Sequence, residues 1–251
     1  MNRKRLVEVA VMAGEIMLSS GAETYRVEDT MTHILNASGL PFAEAIVTGS
    51  AINVSLADDE DFIMTLVKRI DNRETDLGKI YRVNMVSRQF CGNEISLNDA
   101  YQELKRIKRH EPYTKKQRFI AKLGRSIFLT VLFGGTSVDY AVAVINGFLL
   151  AVLLVELERI KMNQFFTNLI GAFAVALSSV FVQKVLQVPI SLDVVIAGSI
   201  LSLLPGVAIT NAIRDTLQGD YMSGGARAIE ACVMATALSI GIGLGLLTLK
   251  L

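Results

Sequence analysis

The chain has 251 residues, 25 Lys+Arg against 24 Asp+Glu, and a hydrophobic fraction of 51%. Such a balance, with no basic stripe interleaved with aromatics, argues against a nucleic-acid partner. Two cysteines, Cys91 and Cys232, lie in different halves with no CxxC pair or Cys/His cluster. Neither a disulfide nor a metal site is expected, and each is read as a buried, inert thiol.

Taken in order, residues 3–19 predict an amphipathic helix. Leu6, Val9, Ala10, Ala13 and Met17 recur at helical spacing, and Glu8 and Glu15 rule out a signal peptide. The helix should stop near Ser19-Ser20-Gly21, where glycine can take a left-handed cap. A second helix is expected from about Glu23 to Ala37, before Gly39 and Pro41. Residues 44–70 are rich in β-formers and predict a small antiparallel sheet of three strands, with the acidic run Asp58-Asp59-Glu60-Asp61 as a solvated turn. Two more helices are expected over 76–90 and 96–110, the second capped by Ser96 or Asn98. His33 and His110 are isolated and read as structural or surface residues.

The character then changes. Residues 1–122 hold 18 of the 25 Lys+Arg and 17 of the 24 Asp+Glu, leaving 7 and 7 for the rest. A soluble domain of that size needs a charged surface, whereas a lipid-facing bundle does not. A basic collar of Lys115, Lys116, Arg118, Lys122 and Arg125 precedes hydrophobic runs near 119–138, 140–155, 163–183, 194–213 and 231–249. Most approach the ~20 residues needed to cross hydrocarbon. The expected architecture is a small soluble α+β domain over 1–114, followed over 115–251 by a membrane all-α bundle of about five transmembrane helices. The collar, Arg159 with Lys161, and Arg214 with Arg227 fall on one side, so the positive-inside rule puts the N-terminal domain in the cytoplasm.

The most informative stretch is Leu204-Pro205-Gly206-Val207-Ala208-Ile209-Thr210-Asn211-Ala212-Ile213-Arg214-Asp215, followed by Gly219-Asp220, Gly224-Gly225 and Arg227-Ala228-Ile229-Glu230. Pro205 and Gly206 should break a hydrophobic helix, freeing backbone groups at membrane depth where transporters bind polar substrates. Asn211, Arg214, Asp215, Asp220, Arg227 and Glu230 are the candidate pathway or coupling residues, because intramembrane polar groups need a partner or a wet cavity. The bland alternative is a solvated loop. Ala237, Gly241 and Gly245 form a small-residue face that lets another helix approach closely. No GxxxxGK[ST], GxSxG or HExxH occurs, so neither an ATP-driven pump nor an enzyme is expected, and no cofactor or metal.

Two stretches carry a resemblance. Ser20-Gly21-Ala22-Glu23-Thr24-Tyr25-Arg26-Val27-Glu28 resembles the SGAxTxRVE motif of the threonine/serine exporter (ThrE) family. The run from Pro205 through Arg214-Asp215, Gly219-Asp220, Arg227 and Glu230-Ala231 is similar to that family's PGxxxTNAIRD…GD…SGxAR…EA signature. The chain resembles the larger, YjjP-like subunit of the split form. The resemblance implies export of small hydrophilic metabolites, threonine and serine or a succinate-like dicarboxylate. It also implies a bacterial inner-membrane location and a smaller YjjB-like membrane subunit as partner; a homo-oligomer is compatible with it. Gly21, Thr24, Arg26 and Glu28 carry over as motif residues without a role. The rival readings are a membrane-anchored enzyme and a regulatory scaffold with a cytoplasmic domain.

Overall fold

The computed structural model describes residues 2–58, 63–70, 74–111, 113–185 and 187–248. By packing, the chain divides into two compact units: residues 1–111 with 207–229, and residues 112–206 with 230–251. The segment 207–229 therefore packs with the N-terminal elements, across the boundary expected at 114.

In the first unit, α1 (Arg3–Ser19) is opened by Asn2, whose side chain accepts the Arg5 N–H. Leu6, Val9, Ala10, Ala13 and Met17 all lie inward. Gly21, at φ +88°, takes the left-handed turn that separates α1 from α2 (Thr24–Asn36). Strands β1 (Phe42–Val47), β2 (Ala51–Ala57) and β3 (Ile63–Arg69) form one antiparallel sheet with β2 central. Ile52, Val54 and Leu56 of β2 point inward at period two. They meet Met17, Met31, Leu35, Val83 and Leu104 in a single apolar core. Full burial of each such side chain stabilises by about 1.5–3 kcal/mol. α3 (Leu77–Cys91) and α4 (Leu97–Arg109) complete the soluble elements; Ser96 accepts the Asp99 N–H as the N-cap. Of the acidic run, Asp58 pairs with Arg3 at 2.7 Å, while residues 59–61 lie outside the described residues.

α9 (Gly206–Leu217) and the start of α10 (Tyr221–Leu247) belong to this unit as a helical hairpin. A Cβ at Gly224 would lie 3.0 Å from the Ala212 carbonyl oxygen, so the two helices touch there at backbone distance.

The second unit contains α5 (Lys115–Leu132), α6 (Ser137–Arg159), α7 (Gln164–Val185), α8 (Leu192–Ile200) and the later part of α10. Small residues set their spacing: a Cβ on Gly147 would lie 3.0 Å from the Ser126 Cβ. Polar side chains join neighbouring helices, Asn146 donating to Ser179 at 2.8 Å and Ser126 meeting Ser199 at 3.1 Å. Asp139, fully buried, accepts the Ser191 N–H at 2.9 Å and the Thr136 N–H at 2.8 Å.

Among the described residues three helices, α6, α7 and α10, are long and apolar enough to cross a membrane. A fourth span results if Leu192–Leu203 and Gly206–Leu217 form one broken span. The first expected span falls on α5, whose 18 residues include five Lys or Arg, each costly at the centre of a bilayer. The break itself is where it was expected. A short 3-10 turn over Leu201–Leu203 ends in extended backbone at Leu204, and α9 starts after Pro205.

One expectation is corrected. Cys91 and Cys232 are exposed rather than buried, because neither lies on the inward stripe of its helix. The glycine face of α10 does admit a close helix, and that helix is α7 of the same chain. A Cβ on Gly245 would lie 2.6 Å from the Ala176 Cβ and 2.9 Å from the Phe173 carbonyl oxygen of α7, so it is not a free docking face.

Candidate functional site

The turn entering α2 and the hairpin of α9 and α10 meet within the first unit. They bring together residues separated by 190 positions in sequence. The geometry begins at Gly21. Its left-handed backbone turns the Gly21 and Ala22 carbonyls toward the hairpin, where Asn211 Nδ2 donates to Gly21 O at 2.9 Å and Arg227 donates to Ala22 O at 3.1 Å.

Thr24, fully buried as the first residue of α2, makes three contacts. Its N–H donates to Asp215 Oδ1 at 3.2 Å, and its hydroxyl lies 2.9 Å from the same oxygen and 3.0 Å from Asp220 Oδ2. Asp215 is fully buried on α9 and pairs through Oδ2 with Arg227 Nε at 3.1 Å; Arg227 is 5% exposed. Asp220, in the bend between α9 and α10, accepts the Ser223 N–H at 3.0 Å. Burial pushes the Asp220 carboxyl upward, but the Ser223 and Thr24 donors and the Arg227 charge outweigh this and hold it below the usual carboxylate range.

A second ion pair flanks the first. Glu23, the residue before α2, bonds Arg214 of α9 and lies 3.5 Å from Arg26. Glu23 is 6% exposed at the side chain, while Arg214 and Arg26 are 55% and 45% exposed. Burial raises the Glu23 carboxyl, yet its own backbone N–H, the Arg214 hydrogen bond and the two arginine charges carry it below its ordinary range. Glu28, one turn along α2, accepts the Val47 N–H of β1 at 2.7 Å. Burial, with the charges of Asp220 and Asp215, pushes it upward despite that bond.

The arrangement thus unites Gly21, Thr24, Arg26 and Glu28 with Asn211, Arg214, Asp215, Asp220 and Arg227. Glu230 falls in the second unit and is half-buried. The helix break at Pro205 and Gly206 lies at the boundary of the two units. Sequence reasoning missed Glu23 as the partner of Arg214. Glu23 stood next to Thr24 in the same polar turn, but nothing local showed which distant cation it would meet. Chemically the cluster presents two accessible guanidinium groups around one buried carboxylate, beside two aspartates bridged by a hydroxyl. Among the described residues no group of three or more His, Cys, Asp or Glu is placed to hold a metal ion.

A family model described as "Putative threonine/serine exporter" matches residues 8–249. The chain is 23% identical over 245 residues to a "Probable threonine/serine exporter" of Mycobacterium tuberculosis, covering 96% of this chain and 46% of that protein. It is 22% identical over 250 residues to a "Threonine/serine exporter" of Corynebacterium glutamicum, covering 96% and 50%. An "Uncharacterized protein" of Schizosaccharomyces pombe is 20% identical over 253 residues, covering 96% and 30%. The chain therefore spans about half the length, or less, of these relatives. No solved structure matches. With the family model matched along almost its whole length, and both motifs joined in one buried cluster, the chain belongs to the ThrE family of threonine/serine exporters.

Proposed function

We propose that this chain is a membrane exporter subunit for small hydrophilic carboxylates, amino acids such as threonine and serine or a short dicarboxylate. The observation that carries the reading is Glu23, a buried carboxylate held by two arginines that are themselves half exposed. A substrate carboxylate arriving from water can take the place of Glu23 between Arg214 and Arg26, where a guanidinium can meet it through both of its forked nitrogens rather than the single one that each offers Glu23. Glu23 then re-forms the pair when substrate leaves, which keeps the arginines from resting uncompensated beside hydrocarbon. In this reading five spans cross a bacterial inner membrane, with α5 as the fifth, and the soluble elements face the cytoplasm. In the same reading its partner is a smaller YjjB-like membrane subunit. Glu230, at the head of the second unit's part of α10, is a coupling residue.

The test is efflux from cells preloaded with threonine, serine or succinate, with membrane levels measured in parallel. Arg214→Gln should reduce efflux at least about tenfold, the loss expected for one charged hydrogen bond of about 1.5–3 kcal/mol. Arg214→Lys should recover little, since an ammonium cannot reproduce the fork. Normal efflux by Arg214→Gln at normal expression would remove the cluster from the transport path and leave it as a structural contact.

A further inference from the structure

Two side-chain amides in the second unit are left incomplete. Asn146 on α6 is fully buried, and its Nδ2 donates to Ser179 Oγ on α7 at 2.8 Å. The Ser179 hydroxyl gives its one hydrogen to the Val175 carbonyl at 2.8 Å, so its oxygen can only accept. That fixes the amide, with Nδ2 toward Ser179 and Oδ1 turned away. Among the described residues Oδ1 has no donor. Asn168 on α7 is the converse. It too is fully buried; its Oδ1 accepts from Gln164 Nε2 at 2.9 Å, and its Nδ2 has no acceptor among the described residues. Positions 168 and 179 are separated by about three turns, so they share one face of α7 at about 16 Å. Gly171, between them on that face, would bring a Cβ within 3.1 Å of Leu150 Cδ1 of α6. That face is therefore the seam between α6 and α7. It stays polar beside Asn146, since a Cβ on Gly147 would lie 3.0 Å from the Ser126 Cβ, and Ser126 meets Ser199 of α8. An amide without a partner is costly in the interior of a membrane bundle, and neither helix needs one there to fold.

We propose that the seam between α6 and α7 carries the cargo through this unit, Asn168 Nδ2 donating to its carboxylate and Asn146 Oδ1 accepting from its ammonium or hydroxyl as the helices part. The two atoms are too far apart for one small molecule to span, so the cargo meets them in turn. Their opposite chemistry selects. A hydroxy amino acid carries a carboxylate that accepts and an ammonium and a hydroxyl that donate, and it satisfies both atoms. An ionised dicarboxylate only accepts; it satisfies Asn168 and leaves Asn146 without a donor. A site built around a buried polar atom discriminates strongly against a cargo that leaves that atom unpaired. The seam thus favours hydroxy amino acids over dicarboxylates. This inference rests on the exporter reading and narrows the cargo that reading left open.

Efflux of L-serine, L-threonine and succinate from cells preloaded with each, with membrane levels of the full chain measured in parallel, tests it. The wild type should export the two amino acids faster than succinate. Asn146→Leu should lower the ratio of serine to succinate efflux at least about tenfold, while its thermal midpoint in detergent stays or rises because a buried unpaired group is gone. Asn168→Leu should lower all three effluxes and change that ratio little. L-Alanine assigns the donor. Alanine efflux that falls with serine puts the ammonium on Asn146, alanine efflux that is spared puts the hydroxyl there, and either supports the proposal. If Asn146→Leu does not reach the membrane, Asn146→Met decides, since its flexible side chain can fill the same space. An unchanged ratio in these variants, or a wild type that prefers succinate, would overturn the proposal and leave the amide to a structural water. If the wild type exports none of these, the midpoint of the purified chain with added L-serine decides. A rise that is lost in Asn146→Leu would count against the exporter reading and leave the binding position standing; no rise would overturn both.

Discussion

Asp215 and Arg227 leave water together, at 0% and 5% side-chain exposure, so removing either takes a buried charge's ion pair away from the other. Breaking such a pair typically costs about 3–5 kcal/mol. Arg227→Leu should therefore lower the denaturation midpoint sharply when unfolding is followed in detergent. Arg214→Leu should cost no more than about 1 kcal/mol, because its guanidinium stays more than half exposed and screened. A ranking in the opposite order would mean that the buried pair is not what holds the hairpin to α2. Glu28 makes a pH-dependent contribution of definite sign. Its folded carboxyl is raised above the ordinary glutamate value of 4.5, chiefly by burial, so the folded state holds that proton more tightly than the unfolded chain. The contribution is fully present below about that pH and is lost as pH rises through the folded value. Glu28→Gln can still accept the Val47 N–H, and it should flatten this decline in a series of unfolding curves taken upward from pH 4.5.

Helix α10 shows how much one element depends on having no side chain. Gly245 and Gly241 let it lie on the α7 backbone, whereas a Cβ added at Gly243 would meet nothing within 4 Å. Gly245→Leu should destabilise by about 1–3 kcal/mol through overpacking. Gly243→Ala should be neutral or slightly stabilising through helix propensity. Equal thermal shifts for the two would show that α7 does not pack there. This face was legible in the sequence as a small-residue repeat, but its partner was not, since spacing marks a close approach without saying which helix makes it. Helix ends read well wherever a cap announces them. The expected 3–19 matches Arg3–Ser19, and of the two caps expected for α4, Ser96 and Asn98, it is Ser96 that serves. The sheet was equally visible, in three β-branched runs that became β1, β2 and β3. The count of spans was less legible, because α5 carries its charges and its apolar residues along one helix.

Over the whole molecule, the sequence showed two motif regions and assigned a reason to only one. Residues 20–28 stood as a helix start with motif residues of no assigned role, and 204–230 as a broken membrane helix. Their meeting is a tertiary fact that neither period nor propensity encodes. What could have suggested it is an imbalance: Arg214, Asp215, Asp220 and Arg227 beside hydrocarbon need charged partners, and the polar turn from Glu23 to Glu28 offers them. The proposed orientation is tested with a variant lacking Cys91 and Cys232 and carrying one cysteine at the exposed position of Tyr81. An impermeant thiol reagent should label it only after the cells are opened, and labelling in intact cells would invert the topology.

The separation of the two motifs also sets a timetable for synthesis. Gly21 and Thr24 leave the ribosome about 190 residues before Asn211 and Asp215. At about 5–20 residues per second the turn waits roughly 10–40 s for its partners. During that interval Glu23 and Thr24, which end almost wholly enclosed, are wet, and the head of α2 has nothing to close against. A nascent chain stalled near residue 200 should then be cut by added protease around residues 20–28, while the same bonds resist cleavage once residue 227 has emerged and the hairpin has folded back. For a cell, that difference is a means of telling an unfinished chain from a finished one.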